Sequence, residues 1–460
     1  MSVPGLSTLG DVARVLGLDD QALAPGLAQA GVASIVTDTR KLAPGALFIA
    51  IRGERFDAHD FLAQAREAGA VAAIVERDVD DALPQLKVGD VRLALGLLGR
   101  QARRSWGGPL VAVTGNSGKT TVKQMLATLL SRQGDTLATV GNLNNDIGAP
   151  LTLLALQATH RQAVVELGAN HLGEIAWTTA LAEPQVVAIT NVTGAHVGEF
   201  GGLGRIAQAK GEILAGLKQG GVAVLNRDDA FYPLWASLAA PHDVIDVSCQ
   251  QSARLCATDL ACDDRGRYAF TLTFDARRLG RVTLPLIGRH NVANALVAAA
   301  SALAMGLSGE DVVAGLGEVT ASPGRLTVED GVRGVRVLDD TYNANPGAVM
   351  AAIDTLVSLP GPHWCLLGAM GELGDASERL HAEVGRYARE RGIDFLGTLG
   401  EAANAASLAF GEGGYHFHDQ AAMTRHVLQH LPSGASILVK GSRAAGMERV
   451  VAALRPDVSR

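Results

Sequence analysis

Cysteine is scarce in this chain. Four thiols, Cys249, Cys256, Cys262 and Cys365, are spread through 460 residues, with no C-x-x-C pair and no histidine pair at zinc spacing. That excludes a disulfide-stapled scaffold and the common zinc modules, and it fits free thiols in the cytosol. Aromatic residues make up only 4% of the chain. Positive charge is not in surplus: the net charge is −7. Nucleic acid is therefore not expected as the main partner, because phosphate backbones are gripped by excess Lys and Arg. No apolar run approaches the length of a membrane span. The stretch from Val292 to Met305 is short, is interrupted by Asn294 and reads as a buried helix. The first residues lack a charged segment leading into an apolar one, so no secretory leader is expected.

What is present is ordinary globular sequence, 48% hydrophobic and rich in glycine and alanine, long enough for about three domains. Short strand patterns open the chain at Ser34–Arg40, Ala46–Ile51 and Val71–Val75, with helical patterns at Phe61–Ala68 and Val91–Trp106. Gly107-Gly108-Pro109 then breaks the pattern. From residue 110 to about 320, strands at Ala163–Glu166, Val186–Thr190 and Val222–Leu225 alternate with helices. Such alternation predicts a parallel, doubly wound sheet. The segment 241–285, with the alternating run Tyr268–Phe274, predicts a small antiparallel insert. Beyond Ser322-Pro323-Gly324, strands at Val335–Leu338, Trp364–Leu367, Phe395–Leu399 and Ile437–Val439 predict a further α/β unit. The expectation is an α/β chain with domains at 1–107, 108–321 and 322–460.

The most informative stretch is Leu110-Val-Ala-Val-Thr-Gly-Asn-Ser-Gly-Lys-Thr-Thr121. An apolar strand leads into a glycine turn, and Val122, Met125, Leu126, Leu129 and Leu130 then recur on one helix face. Backbone N–H groups at such a helix start, helped by the helix dipole, hold phosphates. Gly115, Asn116, Ser117 and Gly118 would cradle the anion, and Thr121 lies beside them. Lys119 would reach the outer phosphates, and the Thr120 hydroxyl would ligate Mg2+. The spacing is G-x-x-G-K-T, with Val113 where the usual first glycine stands.

Three further residues could serve that site. Glu166 ends an apolar strand, where an acidic residue can hold Mg2+ or cap the next helix. Lys210 falls on the apolar face of the helical stretch Gly204–Leu217. Desolvation there would lower its pKa and leave an amine able to capture CO2 as a carbamate, unless the side chain reaches water past the helix edge. His196 lies in a loop at the same sheet edge, as a ligand or a surface residue. Asn226-Arg-Asp-Asp229 is similar to the N-K-x-D element with which GTPases read guanine, but Arg replaces Lys. A polar turn is the preferred reading; a regulatory GTPase is the rival function.

In this order, the glycine loop, Glu166, His196, the A-K-G-E of Lys210, Gly288-Arg-His-Asn-Val-Ala-Asn294 and Ser322-Pro-Gly-Arg325 resemble the Mur ligase family, the ATP-dependent amide ligases of cell-wall precursor synthesis. Asp339-Asp-Thr-Tyr-Asn-Ala-Asn-Pro346, Gly141–Gly148 and Glu166-Leu-Gly-Ala-Asn-His171 are similar to the members that join D-alanyl-D-alanine to UDP-N-acetylmuramoyl-tripeptide. The alternative is a member that adds another amino acid. The chain departs from the family at His196-Val-Gly-Glu-Phe-Gly-Gly202, where the acidic residue is shifted, and at Asp57-Ala-His59.

The resemblance implies an N-terminal domain for the UDP-linked substrate, a central P-loop ATPase-like domain and a Rossmann-like C-terminal domain. It implies ATP and two Mg2+ ions, with Thr120 and Glu166 on one, His196 on the second, and Lys210 as a carbamate organising that metal. Lys119, His196, Lys210 and Arg325 would be the catalytic set. Asn291 would lie by the adenine, Asn294 would belong to the ATP-binding set, and Arg325 and Asp340 would reach the phosphates and ribose. Thr37, Asp38, Thr39 and Arg40 would meet the uridine diphosphate. Asn142, Asn144 and Asn145 would line the muramoyl peptide, and Tyr342 and Asn343 the dipeptide. A cytoplasmic monomer is expected.

Overall fold

The computed structural model describes residues 3–19, 23–53, 56–193 and 200–456. The strands form three sheets. In the first, β1 (Ser34–Val36), β2 (Ala46–Ile49), β3 (Ala72–Val75) and β4 (Gln85–Lys87) lie in that order, all parallel. Every residue of β2 and β3 is buried, which is why both are unbroken apolar runs. The strand expected over Ser34–Arg40 stops at Val36. The Asp38 carboxylate accepts the Arg40 backbone N–H at 3.0 Å and starts a short turn of helix, Thr39–Lys41. A side chain that bonds its own backbone has overridden the strand pattern.

The helix Val91–Trp106 carries the chain to the second sheet. Asp90 caps its start and Gly107, at φ +70°, closes it. Buried Arg103 donates to the carbonyls of Ala182 at 2.8 Å and Glu183 at 3.2 Å, which pins this helix to the central unit.

The central sheet has the order β13-β12-β11-β10-β9-β8-β5-β7-β6. Its strands are β5 (Leu110–Thr114), β6 (Thr136–Ala138), β7 (Gln162–Glu166), β8 (Val186–Ile189), β9 (Val222–Asn226), β10 (Asp243–Ser248), β11 (Leu255–Cys262), β12 (Arg267–Phe274) and β13 (Arg277–Ile287). All pairings from β6 through β11 are parallel. The segment expected as a small antiparallel insert is antiparallel over β11, β12 and β13 and extends this sheet, whereas β10, which it also included, continues the parallel order. Alternating polarity reports one solvated face and cannot tell a free-standing ribbon from a sheet edge.

Side chains alternate across β5. Val111 and Val113 enter one core with Val122, Met125, Leu126 and Leu129, whereas Leu110 and Ala112 enter the opposite one. Helices therefore cover both faces, and the loops after β5, β7 and β8 gather at one carboxyl edge, where open α/β sheets bind ligands. The third sheet has the order β14-β15-β19-β16-β17-β18, formed by β14 (Thr327–Asp330), β15 (Arg336–Asp340), β16 (His363–Gly368), β17 (Phe395–Leu399), β18 (Gly414–Phe417) and β19 (Ser436–Lys440). Only the β14–β15 pairing is antiparallel. Among the described residues, no helix is long and apolar enough to cross a membrane.

Candidate active site

The glycine loop takes a shape few other residues allow. Gly115 has φ +145° and Gly118 φ +81°. A Cβ on Gly115 would run into the Thr190 hydroxyl, and one on Gly118 into the Asn294 amide. Gly118 supplies no side-chain cap to the helix Lys119–Ser131. The first N–H groups of that helix have no intrahelical carbonyl to meet, which is the arrangement that receives an anion.

The loop after β8 holds the glycine loop from behind. Asn191 accepts Ser117 N on its side-chain oxygen and Asn116 N on its carbonyl, both at 2.9 Å. The Thr193 N–H and hydroxyl both donate to Asn116 Oδ1 at 2.8 Å. This loop is held in turn by Asn226-Arg-Asp-Asp229. Asn226 donates to the Thr190 carbonyl at 3.0 Å, Asp229 accepts Val192 N at 2.7 Å, and Arg227 pairs with Asp246 at 2.6 Å. The polar turn is thus a brace, and its polar groups are already engaged rather than presented to a base.

Around Thr120 the expected residues converge. Its hydroxyl donates to Glu166 Oε2 at 3.0 Å and accepts Arg325 Nη2 at 3.0 Å. Glu166 is 2% exposed, and its other oxygen accepts the Asn144 amide at 2.8 Å. The Arg325 guanidinium lies 4.1 Å from the centre of the Tyr342 ring. Lys119 folds back, donating to the carbonyls of Gly115 at 2.8 Å and Asn116 at 3.3 Å. Burial pushes its ammonium below the usual lysine range, with Glu166 acting in the opposite sense. Lys210, 1% exposed on the helix Leu203–Gly211, is pushed down to about 7 by burial and by the Lys119 charge. Its ammonium lies 5.5 Å from the Phe200 ring centre. The helical pattern at 204–217 ends in this helix and a following tighter turn, Glu212–Gly216. Half-buried Lys119 and Arg325 thus bring positive charge to the glycine loop and Thr120, which would attract a polyanion.

Other expected residues sit differently. His196 lies outside the described residues. Asn291 and Asn294 are buried and bonded to each other at 2.9 Å, with Asn291 also donating to the Ile287 carbonyl at 2.8 Å. Asp340 is engaged by buried Lys440 at 2.5 Å, and Lys440 also holds the Asn343 carbonyl at 2.8 Å. Thr121 is half-buried beside Thr120, whereas Asn142 and Asn145 are exposed. Asn145 accepts Gly148 N at 2.8 Å. Thr37–Arg40 belong to the first sheet's edge. There Arg40 clasps Asp38 with its shortest contact at 2.7 Å and holds the Asp38 carboxyl down at about 2.

Two buried lysines escaped sequence reasoning. Lys123 lies one turn past Lys119 and 3.6 Å from Glu166 Oε2, and Lys440 ends β19. The signals were there, since a lysine embedded in an apolar helix face had flagged Lys210 and a charge at a strand's carboxyl end had flagged Glu166. Asn345 also joins the site, donating to Ser117 Oγ at 3.3 Å while capping the helix Pro346–Val357.

Among the described residues no three His, Cys, Asp or Glu side chains cluster to hold a metal. The donors present are one carboxylate, Glu166, and one hydroxyl, Thr120. That sparse oxygen set suits Mg2+, which keeps water and phosphate ligands.

This architecture has known counterparts. The Mur ligase family catalytic domain matches residues 31–103, the Mur ligase middle domain 113–302, and the Mur ligase glutamate ligase domain 324–443. The chain is 45% identical over 427 residues to the UDP-N-acetylmuramoyl-tripeptide–D-alanyl-D-alanine ligase of Escherichia coli K12, covering 92% of this chain and 94% of that protein. It superposes on MurF from Acinetobacter baumannii with a TM-score of 0.91 at 38% identity, over 97% of this chain and 98% of that one. For the MurF ligase of Thermotoga maritima in complex with ADP the TM-score is 0.84 at 28% identity, over 92% and 96% of the two chains. With three matched regions that together span most of its length and near-complete overlap with these relatives, the chain belongs to the Mur ligase family and is MurF-like.

Proposed function

We propose that this protein joins D-alanyl-D-alanine to UDP-N-acetylmuramoyl-tripeptide, consuming ATP and releasing ADP and phosphate. The observation that carries the reading is Thr120, whose hydroxyl binds Glu166 of the central unit and Arg325 of the third at the mouth of an uncapped helix.

A carboxylate does not react usefully with an amine, because its oxygen is a poor leaving group. ATP supplies a γ-phosphoryl group that converts it to an acyl phosphate. The amine nitrogen of D-alanyl-D-alanine then bonds to the acyl carbon, the C–O bond to phosphate breaks, phosphate leaves with that oxygen, and the amine loses a proton. The protein's task is positioning and charge neutralisation.

The N–H groups from Gly115 to Thr121 and the Lys119 ammonium would hold the phosphates. Mg2+ would supply charge neutralisation between triphosphate and carboxylate, with Thr120 and Glu166 as its protein donors and His196 serving a second ion. Lys210, with a neutral amine accessible near pH 7, would carry a carbamate toward that second ion. Asn291 would lie beside the adenine, Asn294 would belong to the ATP-binding set, and Arg325 and Asp340 would reach the phosphates and ribose. Thr37, Asp38, Thr39 and Arg40 would meet the uridine diphosphate. Asn142, Asn144 and Asn145 would run along the muramoyl peptide, with Tyr342 and Asn343 at the dipeptide. The working domains would be 1–107, 108–321 and 322–460, and the reaction would take place in the cytoplasm.

The test is ADP release by the purified protein with UDP-N-acetylmuramoyl-tripeptide and D-alanyl-D-alanine, set against the dipeptide precursor with diaminopimelate or lysine. Turnover confined to the first pair is expected. Turnover only with the second pair would move the protein elsewhere in the family. GTP binding without any peptide-dependent turnover would favour a regulatory module.

A further inference from the structure

A buried lysine that the proposed reaction does not use lies directly behind the acidic residue. Lys123 is 4% exposed, set between Val122 and Met125 on the helix Lys119–Ser131. Its ammonium donates to the Thr139 carbonyl at 2.8 Å and stands 3.6 Å from Glu166 Oε2. Thr139 also accepts the Glu166 backbone N–H at 3.0 Å, so both ends of the acidic residue are tied to one point. Glu166 Oε2 is the oxygen that also meets Thr120.

We propose that Lys123 keeps this metal seat weak until a nucleotide arrives: its fixed charge offsets Glu166, so that a divalent cation is retained only together with the phosphates of ATP or ADP. The inference rests on the ATP-ligase reading above. The seat offers one carboxylate and one hydroxyl, whereas Mg2+ completes an octahedron with water and phosphate oxygens. A cation behind the carboxylate cancels the attraction that a bare metal ion would feel, and little water intervenes to screen it. Lys123 cannot swing aside, because its stem is packed and its ammonium is held by Thr139. Lys119 differs, since it sits in the glycine loop and would meet the phosphates themselves. Lys123 is thus a positioning residue, acting through Glu166, and it ensures that metal and nucleotide enter as one species.

Titration calorimetry of Mg2+ or Mn2+ into the nucleotide-free full-length protein tests this. The parent and Lys123→Arg are expected to bind the ion weakly. Lys123→Met is expected to bind it about tenfold tighter or more, given the strength of a unit charge at this range, and Lys123→Met/Glu166→Gln is expected to lose that gain. Unchanged or weaker binding by Lys123→Met, or tightening that survives Glu166→Gln, overturns the proposal. If Lys123→Met does not fold, Lys123→Gln, which keeps a donor for Thr139 but no charge, makes the same comparison. Ligase turnover of the parent is measured on the same preparation. An active parent whose variant gains no metal affinity overturns the role of Lys123 alone, whereas an inactive parent overturns the ligase reading.

Discussion

Lys210, if it carries the proposed carbamate, trades stability for chemistry in one buried side chain. Its amine is almost wholly enclosed, and burial and the Lys119 charge push its pKa down to about 7, below the usual lysine range. Between that value and the unfolded one, the unfolded chain binds the extra proton, so stability rises with pH across this window. Below about 7 both states are protonated and the full cost of burying the charge remains. Lys210→Met, which fills the site without a charge, is therefore expected to melt several degrees above the parent at pH 6 in CO2-free buffer. That advantage should shrink as pH climbs from 7 toward 10 in thermal denaturation. If the gap were the same at every pH, the amine would not be titrating in the folded protein. The catalytic side of the trade is read from Lys210→Ala, expected to be nearly inactive and partly restored by added short carboxylic acids, which stand in for the carbamate. Unaltered activity in that variant would dispose of the carbamate.

At the scale of the element, β5, the glycine loop and the helix Lys119–Ser131 behave as one unit. Burial of Val122, Met125, Leu126, Leu129 and Leu130 at 0% exposure anchors the helix, each side chain contributing about 1.5–3 kcal/mol. The anchored helix then aims its first N–H groups. Gly118→Ala places a methyl group at φ +81° and into the Asn294 amide. It is expected to weaken ADP binding tenfold or more, at a cost of roughly 1–3 kcal/mol in stability. Gly220→Ala is the control, with a similar φ of +75° but open space around the new methyl. It should lose stability without losing ADP affinity, and equal effects on ADP binding would deny the loop its role. Much of this unit was legible in the sequence, because strand, glycines, Lys119, Thr120 and the helix stripe are local and periodic. The braces were not. Thr190, Asn191 and Thr193 meet the loop across more than seventy positions, and nothing in a polar loop announces which backbone it will hold. The strand expected through Arg40 failed for a local reason, the Asp38 turn; the antiparallel pairing expected within 241–285 is present in β11 to β13, but β10 runs parallel and the whole segment extends the central sheet.

At the scale of the molecule, the third unit rests on the glycine loop of the second and the residues around it. Arg325 reaches Thr120 across 205 positions, Asn345 touches Ser117, and the Gly347 backbone packs so closely that an added Cβ would press on Thr193. Glu372, in the third unit and held at φ +61°, adds a negative charge that favours the Lys119 ammonium. Such a contact can exclude water from an acyl phosphate, which would otherwise hydrolyse. Asn345→Asp keeps the helix cap but replaces the amide donor toward Ser117. It is expected to leave the melting temperature nearly unchanged while lowering kcat several-fold and raising ADP release uncoupled from peptide formation. Full coupling in that variant would show that the contact does not seal the site. Activation of the carboxylate by ATP is read most directly from the fate of one oxygen. With 18O in the terminal carboxylate of the tripeptide, one labelled oxygen is expected in the released phosphate and the other in the new amide, as read by mass spectrometry. Phosphate free of label, with peptide product still formed, would contradict activation of the carboxylate by ATP.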